Sequence, residues 1–324
     1  MGGDYAPENV VAGALDALRE SGGRFTVLLV GQRERVQQEL DRYSPRHGCT
    51  IVDAREVVTM DDAPNAALKT KRDSSITVGV SLHRDGKADA FVSAGNTGAV
   101  MSASTLILGR LAGIARPTIG ALLPTERTPC LLVDAGANVD SRPRHLFEFS
   151  VMGSVYVSSM LGNGNPRVGL LSIGEEDSKG NEASLEALRL LRESKLNFVG
   201  NVEGRDVLRG KVDVAVCDGF VGNILLKFGE SIPAFLKAKF TAYAKKSFLN
   251  TLIMVIARRG MKAVLSELDY QEHGGVPLLG VSGVSIIGHG RSTPKAIKNM
   301  IFRAEEMVTR RVNASIEEAI LNYA

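Results

Sequence analysis

This 324-residue chain predicts a doubly wound α/β fold around a mostly parallel sheet, and three observations carry the prediction. Short runs of Val, Leu and Ile alternate with stretches whose apolar residues recur at helical spacing. That is the pattern of strands covered on both faces by helices. Polar, glycine-bearing turns follow several of these runs, at the carboxyl ends of strands where such sheets hold ligands. The 34 glycines and a hydrophobic content of 44% suit many tight strand-to-helix turns over a sizeable core.

The chain opens on Met1-Gly-Gly-Asp4, a strand-to-helix turn by its grammar, with Pro7 leading into a helix through Val10, Ala14 and Leu18. A turn of this kind follows a strand. None is present, so the expectation is a natural chain that extends upstream of Met1. Phe25–Val30 and Thr50–Asp53 read as strands, with a polar helix over Arg33–Tyr43 and a second helix over Ser75–Arg84. The next strand stops in Ser93-Ala-Gly-Asn-Thr-Gly98 and continues as a helix through Leu106 and Leu108. Free N–H groups at that helix start, close approach at Gly95 and Gly98, and donors on Ser93, Asn96 and Thr97 predict an anion seat.

Thr118–Leu122 and Cys130–Asp134 read as strands joined through the Pro124–Pro129 turn, and Pro143–Leu161 as a long helix. Arg167–Ile173, Phe198–Asn201, Val212–Cys217 and Val284–Ile287 are further strands. Glu182–Glu193 is helical, and Thr293 with Pro294 starts a closing helix to about Leu321. Polar turns at Ser93–Gly98, Asp134–Asn138, Ile173–Glu176, Cys217–Asn223 and His289–Thr293 predict one shared cleft.

Several side chains in those turns are candidates for chemistry. Lys179, between a buried strand and a helix, is either a solvated charge or a point charge for phosphate or a developing oxyanion. Asp218 reads first as a helix cap, and Asn223 as a donor to a carbonyl oxygen. Cys217 is either a small buried thiol or an acyl-accepting nucleophile. The turn Asp134-Ala-Gly-Ala-Asn138 reads as an Asx-type turn, and His289 is either a core or a site histidine.

Ile232–Leu268 stands apart, with Lys237, Lys239, Lys245, Lys246, Arg258, Arg259 and Lys262 interleaved with Phe235, Phe240, Phe248, Leu252, Ile253, Val255 and Ile256. It predicts a helical hairpin inserted in a single domain spanning 1–324. Its apolar stripe packs on the body or on a second subunit, or its basic amphipathic surface meets anionic lipid or an acidic carrier.

A net charge of +3 and a pI near 8.7 are too mild to argue for nucleic acid. Three scattered cysteines argue for a reducing cytoplasm and against a disulfide framework or zinc site. No apolar run approaches the ~20 residues of a membrane span. Dinucleotide, P-loop, zinc-hydrolase and serine-hydrolase fingerprints do not occur, so no nucleotide cofactor or metal is expected.

At these motifs the chain resembles the bacterial acyl-carrier-protein:phosphate acyltransferases of phospholipid synthesis, the PlsX family. The matching stretches include Met1–Pro7, Lys71–Ser75, Ser93–Gly98, Arg116-Pro117, Leu122–Thr125, Asp134–Asp140, Ile173–Glu176 and Lys179–Glu182. They continue through Gly200–Asp206, Cys217–Asn223 and Gly274–Gly280, in the family's order over nearly the whole chain. In that family a short apolar strand ending in Asp-Ala precedes Met-Gly-Gly-Asp, and this chain departs from the pattern there.

The resemblance implies a Rossmann-like fold similar to that of phosphotransacetylases and isocitrate dehydrogenases. It implies transfer of a long fatty acyl group from acyl-carrier protein to inorganic phosphate, and a homodimer peripherally associated with the membrane. The product acyl phosphate then serves a membrane glycerol-3-phosphate acyltransferase. Phosphate is already nucleophilic and a thioester already activated, so the enzyme has mainly to align both and stabilise the oxyanion. On that reading Ser93, Gly95, Asn96, Thr97, Gly98 and Lys179 hold phosphate, and Asn181 and Asn223 face the thioester carbonyl. His289 and Asp134 serve in proton or orienting roles, while Gly3, Asp4, Asn138, Glu175 and Asp218 line the substrate site. Lys245, Lys246, Leu252, Ile253, Val255, Ile256, Arg258 and Arg259 would meet carrier or lipid. The competing expectations are a phosphotransacetylase-like enzyme using short-chain acyl-coenzyme A, a catalytically idle membrane scaffold, and a dehydrogenase on the related fold.

Overall fold

The computed structural model describes residues 1–43, 48–267 and 274–323; Leu268, the expected hairpin boundary, lies outside them. The strands are β1 (Val27–Gly31), β2 (Cys49–Asp53), β3 (Ala90–Ser93), β4 (Thr118–Leu123), β5 (Cys130–Val133), β6 (Val168–Leu171), β7 (Phe198–Val202), β8 (Val214–Val216), β9 (Val276–Leu279) and β10 (Val284–Ile287). β1 and β2 pair in parallel as a small sheet of their own. The other eight form one sheet in the order β3-β10-β9-β4-β5-β8-β6-β7.

Strand direction divides this sheet into two parallel blocks. β3 runs parallel to β10, and β5, β8, β6 and β7 run parallel to one another. Between the blocks, β9 is antiparallel to both β10 and β4, and β4 is antiparallel to β5. β3, β10 and β4 therefore point one way, and β9, β5, β8, β6 and β7 the other. The sequence reading assigned no strand over β9, which holds Pro277 and so lacks one ladder donor.

The helices are α1 (Glu8–Ser21), α2 (Arg33–Leu40), α3 (Pro64–Thr70), α4 (Ser75–Arg84), α5 (Thr97–Ala103), α6 (Pro143–Leu161), α7 (Glu182–Arg192), α8 (Gly204–Leu208), α9 (Gly219–Ala244), α10 (Phe248–Glu267), α11 (Pro294–Thr309) and α12 (Val312–Tyr323). The expected single closing helix is two, broken where Arg311 takes a φ of 52°. The hairpin also begins earlier than Ile232, since α9 runs through Pro233 without interruption.

Alternation along the buried strands builds a core on each face of the large sheet. Leu131, Val133, Val214, Val216 and Ile286 face α6, α11 and α12, meeting Phe149, Met152, Ile297 and Ile316. Leu132, Ala215 and Ile287 face the other way, toward Ile76 and Val80 of α4 and Val100 and Ala103 of α5.

A charged clamp ties the starts of β6 and β8. Asp213 accepts from the Arg167 backbone at 2.8 Å and from its guanidinium at 2.9 and 3.0 Å. Burial would raise the Asp213 carboxyl, but the Arg167 hydrogen bonds outweigh it and hold the group below its ordinary value. Because the folded value lies below the unfolded one, this stabilisation is complete above about pH 4 and fades as the pH falls through the folded value. Asp213→Asn should cost about 2 kcal/mol in urea unfolding at pH 7. The difference from the parent chain should shrink below about pH 4.

Candidate active site

The turn after β3 is held from several sides. Asn96 caps α5 by accepting from Ala99 N–H at 3.0 Å, and its amide donates to the carbonyls of Thr59, Met60 and Asp62 at 3.1–3.3 Å. Both ends of this side chain are committed to the fold, so Asn96 shapes the turn and does not offer a donor to an anion. Ser93 Oγ accepts from Gly95 N–H at 3.1 Å. Thr97 is exposed. The chain start lies against this turn: a Cβ on Gly2 would stand 2.8 Å from the Gly95 Cα, and Gly3 lies against the Ala94 carbonyl.

Asp4 N–H donates to Gly290 O at 2.7 Å, and the Asp4 carboxylate lies 3.7 Å from the Arg291 guanidinium. His289 is exposed, and its Nδ1 accepts from Arg291 N–H at 3.1 Å. Gly3, Asp4, Ser93, Gly95, Thr97, Gly98 and His289 thus gather at the carboxyl ends of β3 and β10.

A second group forms past β5 and β8. Asp134 is fully buried, and its carboxylate accepts from the N–H groups of Gly136, Ala137 and Asn138 and from the Asn138 amide, at 2.7–3.0 Å. Burial pushes this carboxyl up, while the four donors pull the other way. Its lone pairs are taken, so it fixes the turn and does not accept a substrate proton. Asn138 also donates to Pro117 O at 2.9 Å, and its own carbonyl accepts from Gly219 N–H at 2.8 Å. Asp218 caps α9 through Val221 N–H at 2.8 Å.

Cys217 is buried, which together with Asp218 and Asp134 pushes its thiol well above the ordinary value. A thiol held protonated is no nucleophile. The acyl-enzyme possibility is therefore set aside. Asn223, by contrast, is exposed on the first turns of α9; a Cβ on Gly136 would stand 3.2 Å from its Cβ. Its amide makes no hydrogen bond among the described residues.

The Lys179 loop lies past β6, the strand beside β8. Asn181 caps α7 through Ser184 N–H at 2.9 Å. Glu175 is paired with Lys211 at 2.9 Å and Asp177 with Arg192 at 2.6 Å. The exposed Lys179 ammonium makes no ion pair among the described residues. Sequence reasoning gave Asn201 no role. Buried on β7, it donates to the carbonyls of Glu176 and Lys179 at 3.0 and 3.2 Å and so sets the loop's path. A lone amide in the otherwise apolar run Phe198–Val202 was the signal.

The five turns do not share one rim. Opposed strand directions put Ser93–Gly98 and His289–Thr293 at one margin of the large sheet, and Asp134–Asn138, Lys179 and Asn223 at the other. Five strand-to-strand steps separate β3 from β8, about 24 Å at ~4.8 Å each. Among the described residues, no hydrogen bond or ion pair joins Ser93–Gly98 to Lys179, Asn181 or Asn223.

α9 and α10 pack against each other, joined by the short link 245–247. Only Gly219 and Gly222 of α9 are buried, while Phe228, Phe235, Phe248, Leu252, Ile253, Val255 and Ile256 are exposed, with Lys245, Lys246, Arg258 and Arg259 among them. The hairpin does not pack its stripe on the body. No helix among the described residues is long and apolar enough to cross a membrane.

Comparison with known proteins adds the family. The fatty acid synthesis protein family matches residues 1–315. The chain is 49% identical over 320 residues to the phosphate acyltransferase of Pelotomaculum thermopropionicum, covering 99% of this chain and 93% of that one. The chain belongs to the phosphate acyltransferase family. The family's enzyme from Chlorobaculum tepidum is 48% identical, with 99% of this chain and 100% of the other covered.

Two solved structures share the fold at low identity. A phosphotransacetylase from Streptococcus pyogenes superposes with a TM-score of 0.63 at 18% identity, covering 94% of this chain and 92% of that one. A branched-chain phosphotransacylase from Enterococcus faecalis gives 0.58 at 14%, covering 95% and 96%. As a member of the phosphate acyltransferases, the chain is an acyltransferase.

The second margin depends on Gly222, because a methyl there would overlap the Asp134 carbonyl oxygen. Gly222→Ala should lower stability by about 3 kcal/mol, read as a drop in Tm with loss of activity.

Proposed function

We propose that this acyltransferase moves a fatty acyl group from acyl-carrier protein to inorganic phosphate. The observation that carries the reading is the near-full-length likeness to enzymes named phosphate acyltransferase. In support, an unpaired ammonium on Lys179 and an unengaged amide on Asn223 stand past neighbouring strands β6 and β8, where a developing oxyanion needs donors.

In this account a phosphate oxygen attacks the thioester carbonyl. Charge gathers on the carbonyl oxygen near Asn223, Lys179 balances the phosphate charge, and the carrier thiolate leaves. The attack needs no side-chain nucleophile, in keeping with a Cys217 thiol held protonated by burial. Asn181 fixes the start of α7 through its carbonyl oxygen, which leaves its amide N–H groups to face the thioester carbonyl.

The glycine-rich turn after β3 sits at the other margin, so the complete site draws on two protomers. One copy's Ser93–Gly98 turn faces Lys179 and Asn223 of a second copy, in a homodimer. The exposed hairpin then meets the acidic carrier or an anionic membrane surface. Peripheral attachment there would deliver acyl phosphate to a membrane glycerol-3-phosphate acyltransferase.

Incubation with palmitoyl-carrier protein and phosphate should yield acyl phosphate; exclusive use of short-chain acyl-coenzyme A would sink the reading. Lys179→Ala should lower kcat about 10²-fold or more with the fold intact. Mixing Lys179→Ala with Thr97→Glu, each inactive alone, should restore about a quarter of parental activity if sites are shared between copies. No recovery would place the site within one protomer. Lys245→Glu with Lys246→Glu should weaken binding to phosphatidylglycerol vesicles at least about tenfold.

A further inference from the structure

The polar turn His289–Thr293, between β10 and α11, has no part in the acyl transfer described above, yet it carries a cation beside the glycine turn after β3. His289 O accepts from the Ser292 N–H at 2.9 Å and from the Ser292 hydroxyl at 2.6 Å, and Asn9 donates to Ser292 O at 3.0 Å. His289 Nδ1 accepts from Arg291 N–H at 3.1 Å. These bonds fix the backbone and leave the Arg291 side chain 74% exposed.

The two turns interlock through Gly3. A Cβ there would stand 2.9 Å from Ala94 O and 3.1 Å from Gly290 O, so both loops crowd the same point. Asp4 donates its N–H to Gly290 O and turns its carboxylate back on that loop, where a Cβ on Gly290 would stand 3.0 Å from Asp4 Oδ1. Asp4 Oδ2 lies 3.7 Å from Arg291 Nε, within ion-pair range and beyond hydrogen-bond reach. Among the described residues the Arg291 guanidinium makes no hydrogen bond. Asp4 therefore holds the cation beside the glycine turn without occupying its donors.

An anion on the glycine turn needs such a cation. Gly95 N–H is spent on Ser93 Oγ and Ala99 N–H on Asn96 Oδ1, which leaves the uncharged donors of Asn96, Thr97 and Gly98. The nearby Lys71 ammonium is committed to Asp62 and to Val57 O at 2.9 Å. Asp4 meanwhile sets a carboxylate beside the seat, which repels phosphate unless it is screened. We propose that Arg291 is the phosphate-binding cation of this margin. Its planar fork donates to two phosphate oxygens, and its charge screens Asp4. The assignment rests on the reading that phosphate accepts the acyl group and that Ser93–Gly98 seats it.

The test uses the full chain with palmitoyl-carrier protein and varied phosphate. Arg291→Gln should raise the phosphate KM about tenfold or more, with kcat and the carrier KM within about twofold of the parent. Arg291→Lys keeps the charge but not the fork and should raise it only about threefold. Adding Asp4→Asn to Arg291→Gln removes the unscreened carboxylate and should lower the phosphate KM again by about threefold or more. Every variant should keep the parental Tm within about 2 °C. An unchanged phosphate KM in Arg291→Gln would overturn the proposal. A joint fall of kcat and Tm, the mark of a structural role, would overturn it too, as would no recovery from Asp4→Asn.

A second measurement needs no turnover. Phenylglyoxal labelling of Arg291, located by peptide mass spectrometry, should slow about fivefold or more in saturating phosphate and not in chloride of equal ionic strength. Equal slowing by both salts, or by neither, overturns the assignment. A parent chain that makes no acyl phosphate yet shows this protection would sink the acyl-transfer reading and leave Arg291 as a phosphate contact.

Discussion

The antiparallel join of β9 and β4 between two parallel blocks sets where everything else can sit. A parallel sheet gathers all its carboxyl ends on one margin, and with them the helix starts and glycine turns that bind anions. Reversing direction three times in the middle of the sheet sends two of the five turns to one margin and three to the other. The glycine turn after β3 then has one address, and Lys179 and Asn223 another. Two protomers are the simplest way to bring both margins to one substrate.

Each margin is stiffened by polar groups that the family resemblance implies for the substrate site. Asn96, Asp134, Asn138, Asn181 and Asp218 all direct their side chains to backbone N–H or C=O groups. A buried amide or carboxylate with its partners satisfied specifies one loop path and has little capacity left for a ligand. Among the described residues the Thr97 hydroxyl and the Asn181 amide N–H groups make no hydrogen bond, nor do the Lys179 ammonium and the Asn223 amide. Their neighbours hold them in place, through Asn201 under the Lys179 loop and Gly136 and Gly222 around the start of α9.

Much of this was legible in the residues. Apolar runs marked nine of the ten strands described, and Pro143–Leu161 was bounded by its own proline and by the glycine that follows. Strand direction was not, because pairing joins residues far apart in sequence. A clue was present: only six residues, Pro124–Pro129, link β4 to β5, too few for the crossover that parallel strands require. Cap residues misled for a physical reason. Asn, Asp and Ser at a helix start look the same whether they serve the helix or a substrate. Likeness in sequence identifies the family, but only hydrogen-bond partners separate those two uses.

Division of the site between two copies is most directly tested by pulsed electron paramagnetic resonance with nitroxide labels at Thr97→Cys and Ser178→Cys, both exposed positions. Doubly labelled chains diluted in unlabelled protein report the distance within one protomer; singly labelled chains mixed in pairs report the distance between protomers. The account requires the distance between protomers to be the shorter. A shorter distance within one chain, with the labels close together in isolated protomers, would contradict it.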